Sequence, residues 1–358
     1  MLTVLYIILA VLIFGFLIFI HELGHFLTAK LCGIQVNEFS INMGPKLLGW
    51  KRGETDYSLR LIPIGGYCAM EGEDGESENP RAFSSAKWWK RLIVLCAGSF
   101  MNLLTGFVVM ALLFGLGGYV MQTTRITDIS PESALAEQGV QAGDELWSID
   151  GRRLFVRRDL DLIEGRYNAA DCELVVLRDG EKVTFEHFNM EKREFDDGAG
   201  GKALLYGITL GEYLRPSFAT VNRFAAYECR DFARMVWYGL QDIFSGRAAL
   251  KDVGGAVQVV DLMVQGGKES QTVSEGVRYV FYLGAFIAVN LAVMNMLPIP
   301  ALDGGRVLFL LIGTVYTAVT KKKINPKYEV WINGAAMILL LGLMAVLLVK
   351  DVVTIASR

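Results

Sequence analysis

Ionisable residues are missing from the first twenty positions: Met1 to Ile20 contains no Asp, Glu, Lys, Arg or His. Histidine is nearly absent from the whole chain, with three in 358 residues, at 21, 25 and 187. Cysteine is sparse, odd in number and scattered (32, 68, 96, 172, 229), with no CxxC pair, which excludes a thiolate zinc knuckle and a disulfide framework. A strong charge imbalance is lacking too: 35 Lys and Arg against 38 Asp and Glu give a net charge of −3, which excludes a nucleic-acid partner. Charged residues make up only 20%, where soluble chains carry about a quarter. The start has neither a basic leader nor an A-x-A cleavage site, so the first apolar run is expected to be a retained helix rather than a removed signal peptide.

What is there is apolar surface. The chain is 53% hydrophobic with a mean hydropathy of +0.36, and four uncharged stretches, 1–20, 92–124, 279–302 and 330–349, are each long enough to span. A helix needs about 20 apolar residues to cross the hydrocarbon core. A fifth stretch, 307–320, is shorter and reads as an interfacial or re-entrant helix. Lys and Arg concentrate at 26–91 and 303–329, which places both loops in the cytoplasm and the insert 125–278 outside, with both termini.

This topology puts the inner ends of the first and third spans at one depth. The first ends in HELGH, with His21, Glu22 and His25; the third runs into NMLPIPALDGG, with Asp303. Histidines at i and i+4 project from one helical face and can chelate one ion. A catalytic zinc takes three protein ligands and keeps a position for water. His187 lies in the outward insert, whereas Asp303 is the acid at an apolar helix end on the correct side. The residues therefore suggest His21, His25 and Asp303 as ligands of one Zn2+ and Glu22 as general base. The blander readings are a chance HExxH, an Asp-Gly-Gly that is only a turn, and histidines snorkelling at a helix end. Against them, ionisable residues inside a membrane span are functional by default.

HELGH closing a first span and NMLPIPALDGG after a third resemble the site-2 proteases, peptidase M50-type intramembrane zinc metalloproteases, and in particular the bacterial RseP-type enzymes. FSINMGPKLLG, YSLRLIPIGGYCAMEGE and AGSFMNLLTG match recurrent segments of that family in order, so the resemblance covers nearly the whole chain. It implies the same three ligands and Glu22 as catalytic acid and base. It places Asn102 and Asn295 in the active-site surroundings, where each could hold substrate backbone or an oxyanion or simply bond between helices. Two departures are Ser99, where the family commonly has proline, and Ala256, where Gly-Pro is frequent.

The resemblance implies an α-helical polytopic membrane protein. It would have four transmembrane helices, a broken third helix, a membrane-associated β-hairpin and an inserted α+β PDZ domain. The expected divisions are helix 1 with HELGH over 1–31, the β-loop over 32–91, helix 2 over 92–121 and a single extracytoplasmic PDZ domain over 122–212. An amphipathic helical segment and linker would follow over 213–278, then helix 3 with the LDG motif over 279–304, an interfacial helix and basic loop over 305–329, and helix 4 over 330–350. Within the β-loop, the alternation of TDYSLRLIPIGGY suggests a strand to which substrate adds, with Leu59 and Leu61 as contacts. EGEDGESENP (71–80) reads as solvated, FDDGAGG (195–201) as a flexible loop and His187, on a hairpin strand, as structural.

The function so implied is zinc-dependent intramembrane endopeptidase activity in the bacterial plasma (inner) membrane. The active site would lie near the cytoplasmic side. Substrates would be single-pass membrane proteins in the lipid bilayer: anti-sigma factors already trimmed by an upstream site-1 protease, or signal-peptide remnants. A catalytically silent membrane PDZ adaptor with a vestigial metal site is the alternative, and a metal transporter a more remote one. The intact glutamate of HELGH argues against the adaptor, and the lack of Asp, Glu or His inside three of the four spans against the transporter.

Overall fold

The computed structural model describes residues 2–73, 75, 77–117, 119–196, 201–247, 254–322 and 325–356, except the side chains at 63, 64, 256, 326, 327, 355 and 356. Most of the loop expected at 195–201 lies outside the described residues, as does Lys323 of the second basic loop. The chain divides into two compact units, one formed by Met1–Val109 with Phe232–Arg358 and the other by Met110–Asp231.

In chain order, α1 (Leu2–Leu31), β1 (Val36–Arg52), β2 (Thr55–Met70) and α2 (Trp88–Gly115) come first. The insert carries β3 (Ile126–Ile129), α3 (Ala134–Glu137), β4 (Glu145–Ile149), β5 (Arg152–Arg153), α4 (Arg158–Ile163), β6 (Cys172–Arg178) and β7 (Glu181–Phe188). It continues with β8 (Arg193–Asp196), β9 (Lys202–Leu205) and β10 (Ile208–Leu210). The described residues then include α5 (Phe218–Phe244), α6 (Ala256–Glu269), α7 (Val273–Asn295), α8 (Asp303–Thr320) and α9 (Pro326–Ala356). Among the described residues, four helices are long and apolar enough to cross a membrane: α1, α2, α7 and, in α9, Tyr328–Thr354. The chain is thus a multi-pass membrane protein.

In the first unit, α1, α6 and α7 share a core around Tyr6, Ala10, Leu17, Met263, Val280 and Ala288. Small residues set the spacing: a Cβ on Gly267 or Gly276 would run into the Tyr6 ring. α7 begins with a capping box between Thr272 and Glu275 and stops at Asn295, because Pro298 and Pro300 have no N–H with which to continue it. A turn follows in which Ala301 takes a positive φ of 73° and Asp303 opens the new helix α8. Two polar anchors hold α9: Asn333 Oδ1 accepts from the Ala301 N–H at 3.0 Å, and Asp351 accepts from Gly255 N and Gln258 N at 3.2 and 3.1 Å. α6 itself falls in a segment read from the sequence as part of a linker.

The expected β-hairpin is a four-run meander. Bulges let β1 pair with β2 twice, so Phe39 faces both Cys68 and Tyr57, and Leu59 faces both Ile41 and Leu48. The order across the sheet is 66–70, 36–41, 55–60, 46–52, which leaves 66–70 and 46–52 as the edges. Phe39 seats the sheet on α1 through Phe19 and Phe26. In the charged segment 71–80, expected to be solvated, the described residues are half-buried or exposed and some are also hydrogen-bonded: Glu71 accepts from Asn37 at 2.8 Å and Ser77 at 2.7 Å, and Asn79 donates to Gln35 at 2.9 Å. Glu54, in the turn between β1 and β2, is held down at about 2 by its hydrogen bonds from Arg81 and Lys30.

The second unit has a core of Ile126, Leu135, Leu146, Ile149, Leu174, Val176 and Phe188. Its four-stranded sheet runs β5-β4-β6-β7, beside a β10-β3 pair. α4 docks on the middle of α5 through charge: Arg230 Nη2 donates to both oxygens of the buried Asp159 at 2.7 and 2.8 Å and to Asp231 at 2.6 Å. Burial pushes Asp231 up to about 7 in spite of this cation.

Candidate metal centre

HELGH lies inside α1, with one and a half further turns before the helix ends near Gly33, whose φ of 78° suits glycine. The i, i+4 spacing brings His21 and His25 onto one face with their Nε2 atoms 3.2 Å apart. Asp303 Oδ2 lies 3.1 Å from His21 Nε2 and 3.3 Å from His25 Nε2. These three side chains form the one cluster of ligand-type groups close enough to hold a metal among the described residues.

The donor set fits zinc. Donors about 2.0–2.2 Å from a tetrahedral zinc stand roughly 3.3–3.5 Å from one another, close to the triangle of 3.1, 3.2 and 3.3 Å seen here. Although Oδ2 of Asp303 is this near two ring nitrogens, it accepts no hydrogen bond of acceptable geometry. An orphaned buried acceptor of this kind is one that a cation satisfies.

The LDGG turn explains how an aspartate so distant in sequence arrives here. A Cβ on Gly304 would collide with the carbonyls of Met296 and Leu297, and one on Gly305 with that of Ile299. Only a pair without side chains lets the chain fold back tightly enough to start α8 under the histidines. An ion pair between Arg306, one turn beyond Asp303, and Glu73 ties this helix to the segment after β2. Glu73 also accepts from Met70 N at 3.2 Å.

α2 closes the other side. His25 Nδ1 donates to the Val94 carbonyl at 2.8 Å, which fixes the tautomer and leaves Nε2 facing Asp303. Gly24 packs on the Ala97 carbonyl so closely that a Cβ would stand 2.5 Å from its oxygen. Gly98 faces the two imidazoles with no room for a methyl. Asn102, 1% exposed, has its amide 3.3 Å from His21 Nδ1, while Asn295 places Nδ2 3.5 Å from His21 Nε2. Glu22 lies against the backbone of Gly66 and Cys68 in the sheet edge; a Cβ on Gly66 would come within 3.3 Å of its Cγ.

His21, Glu22, His25, Asn102, Asn295 and Asp303 are therefore gathered in one place. Leu59 belongs to the inner part of the meander, paired on both sides, whereas Leu61 is exposed just beyond that run, beside Ile62. His187 is in the other unit, on the surface, paired with Asp171 at 2.9 Å. The reading from sequence passed over Gly24, Gly66, Gly98 and the Glu73–Arg306 pair. The glycines carried a signal, since AGSFMN and IGGY set small residues beside the polar ones, but spacing does not say which residue faces which.

The chain matches the description "Peptidase family M50" over residues 9–343. A provisionally named zinc metalloprotease of Clostridium perfringens is 35% identical over 351 residues, spanning 97% of this chain and 98% of the relative. A similarly named protein of Fusobacterium nucleatum is 33% identical, spanning 96% and 97%. Zinc metalloprotease RasP of Bacillus licheniformis is 26% identical over 423 residues, spanning 96% and 97%.

Proposed function

The chain belongs to peptidase family M50, and on that footing we propose that it is an intramembrane endopeptidase that hydrolyses peptide bonds in membrane-spanning segments of other proteins. It is a zinc metalloprotease of the membrane. His21, His25 and Asp303 hold the metal and Glu22 is the acid and base. The observation that carries this reading is the closed triangle of donors, from residues 278 positions apart, with a glutamate beside it and the outermost run of a sheet behind the glutamate.

When bound, zinc supplies a Lewis acid that polarises a carbonyl and makes water a better nucleophile at neutral pH. Glu22 takes a proton from the attacking water as the new C–O bond forms, then passes it to the departing amine nitrogen as the C–N bond breaks. A helix in lipid satisfies its own backbone and exposes no peptide bond in extended form. The edge 66–70 would offer an unwound substrate new backbone partners directly beside Glu22 once the substrate displaces Glu22 and Glu73 from the Cys68 and Met70 N–H groups. This edge, rather than Leu59 or Leu61, is where a substrate strand would add. Asn295, in front of His21 Nε2, is placed to hold the substrate backbone.

The basic residues of 26–91 favour a site near the cytoplasmic face of a bacterial plasma membrane. The second unit is then an extracytoplasmic PDZ-type domain, supported by its short strands, the one-turn α3 and α4 around a common core. Substrates of this class include anti-sigma factors cut first by another protease, and signal-peptide remnants. A decisive test compares Glu22→Gln with Asp303→Asn in detergent for zinc content and for cleavage of a tagged transmembrane substrate. Glu22→Gln is expected to keep zinc and lose about 10²–10⁴-fold in rate; Asp303→Asn is expected to lose both. Normal cleavage by Glu22→Gln with zinc retained would remove Glu22 from the acid and base role, and no cleavage by the unmodified zinc-loaded chain would turn the reading to the silent adaptor.

A further inference from the structure

His21 has two faces. Its Nε2 belongs to the donor triangle, so the lone pair on that nitrogen is committed there and the ring proton resides on Nδ1. A buried Nδ1–H needs an acceptor. For His25 the acceptor is the Val94 carbonyl at 2.8 Å. For His21 the polar group next to Nδ1 is the Asn102 amide, 3.3 Å away on a residue 1% exposed, and Asn102 Oδ1 has no other hydrogen-bond partner. The nitrogen and oxygen ends of an amide are the same size, so hydrogen bonding decides which end faces the ring. With the nitrogen there, two donors meet head to head and a buried oxygen is left unsatisfied. With the oxygen there, both faults disappear.

We propose that Asn102 is a positioning residue for zinc, its Oδ1 accepting the His21 Nδ1–H so that Nε2 is held on the metal. The proposal rests on the ligand assignment above and goes beyond it. It gives the two asparagines separate tasks: Asn102 stands behind the His21 ring and Asn295 in front of it. Asn102 then touches neither substrate nor the reacting atoms. Such partners behind metal-bound histidines typically account for about 10–100-fold in metal affinity.

The test is zinc affinity of the full chain in detergent, by competition with a chromophoric chelator, with cleavage kinetics alongside. Asn102→Leu keeps the volume and removes the acceptor; it should weaken zinc binding about 10–100-fold. Asn102→Asp restores an acceptor and should bring affinity back to within about threefold of the unmodified chain, or tighter. Asn102→Gln keeps the amide but displaces it, should weaken zinc binding like the leucine variant, and decides the matter if the leucine variant does not fold. Unchanged zinc affinity in Asn102→Leu or, failing that, Asn102→Gln, with a raised KM, would overturn the proposal in favour of substrate binding. Equal damage from Asp and Leu would overturn it in favour of plain helix packing. His21→Ala and Asp303→Ala serve as controls: if they too keep zinc, the ligand assignment itself has failed; if they lose it while Asn102→Leu or Asn102→Gln does not, only this proposal has.

Discussion

Alanine at position 98 should evict the metal. Gly98 is on α2 opposite the two ligand rings, and a methyl there would lie 2.6 and 2.8 Å from Cε1 and Nδ1 of His21, and closer still to Nε2 of His25. Ordinary contact begins at about 3.4 Å or more, so the rings would have to retreat by roughly 0.6–1 Å. Metal–ligand distances tolerate about ±0.2 Å. The Val94 carbonyl restrains His25 from behind, so the ring cannot swing away without losing that bond as well. Loss of a hydrogen bond and a displaced ligand together put the expected weakening at about 10²-fold or more, or about 2.8 kcal/mol. Alanine is the better helix former by about 1 kcal/mol, which offsets part of the roughly 1–3 kcal/mol that overpacking costs, so the fold of the zinc-free variant is measured beside its zinc affinity. Gly15→Ala, with nothing within 4 Å of the new carbon, is the matched control and should leave zinc and activity intact. Equilibrium dialysis against a zinc chelator measures the affinity, and thermal unfolding of the zinc-free protein measures the fold. If Gly98→Ala binds zinc as tightly as Gly15→Ala, the α2 face does not press on the ligands and the reasoning is refuted.

Gly66→Val should reduce kcat/KM with little change in zinc content, because its side chain would crowd both Glu22 Cγ and the Ser40 carbonyl at the sheet edge; full activity would remove the edge from the mechanism. Breaking the anchor of α8 with Arg306→Met should lower zinc affinity by about tenfold or less, and the double change Arg306→Glu with Glu73→Arg should recover part of it, read by the same dialysis. In the second unit the raised value of Asp231, among Asp159, Glu228, Arg158 and Arg230, has a sign that can be worked out. An acid raised from about 4 to about 7 keeps its proton longer in the folded state, so stability is greatest below the window and falls as pH rises through it. Amides of α4 should therefore exchange about tenfold faster at pH 8 than at pH 5.5 after correction for intrinsic rates, and Asp231→Asn should flatten the difference. A flat profile in the original chain would show that the carboxyl is ionised throughout.

The centre was legible because ionisable groups are so scarce in α1 that HELGH could not pass as background. Lys and Arg near the span ends then brought Asp303 to the same depth. The break after Asn295 followed from Pro298 and Pro300, although where the next helix starts depends on the carbonyls that Gly304 and Gly305 must approach. Other features were not legible, for physical reasons. Bulges fold two strands into four runs, and period-two alternation cannot show a strand pairing on both sides, so Leu59 and Leu61 stood out where 66–70 is the edge. The acidic run after Met70 is charged like any solvated loop, and its partners Gln35, Asn37 and Arg306 lie far away in sequence. Motif spacing places Asn102 near the site but is silent on which side of an imidazole it occupies.

The donor triangle draws its corners from moments far apart in translation. Asp303 leaves the ribosome 278 residues after His25. At about 5–20 residues per second the interval is roughly 15–60 s. Throughout that interval α1 can already lie in the bilayer with two of the three donors in place and without the carboxylate. If Asp303 is the third ligand, as proposed, the newborn chain would be inert towards the membrane proteins inserting around it, and a truncation before Asp303 would stay so. On the proposed ligand set, activity would begin only once Asp303 is made, when Gly304 and Gly305 let the chain turn back on α1.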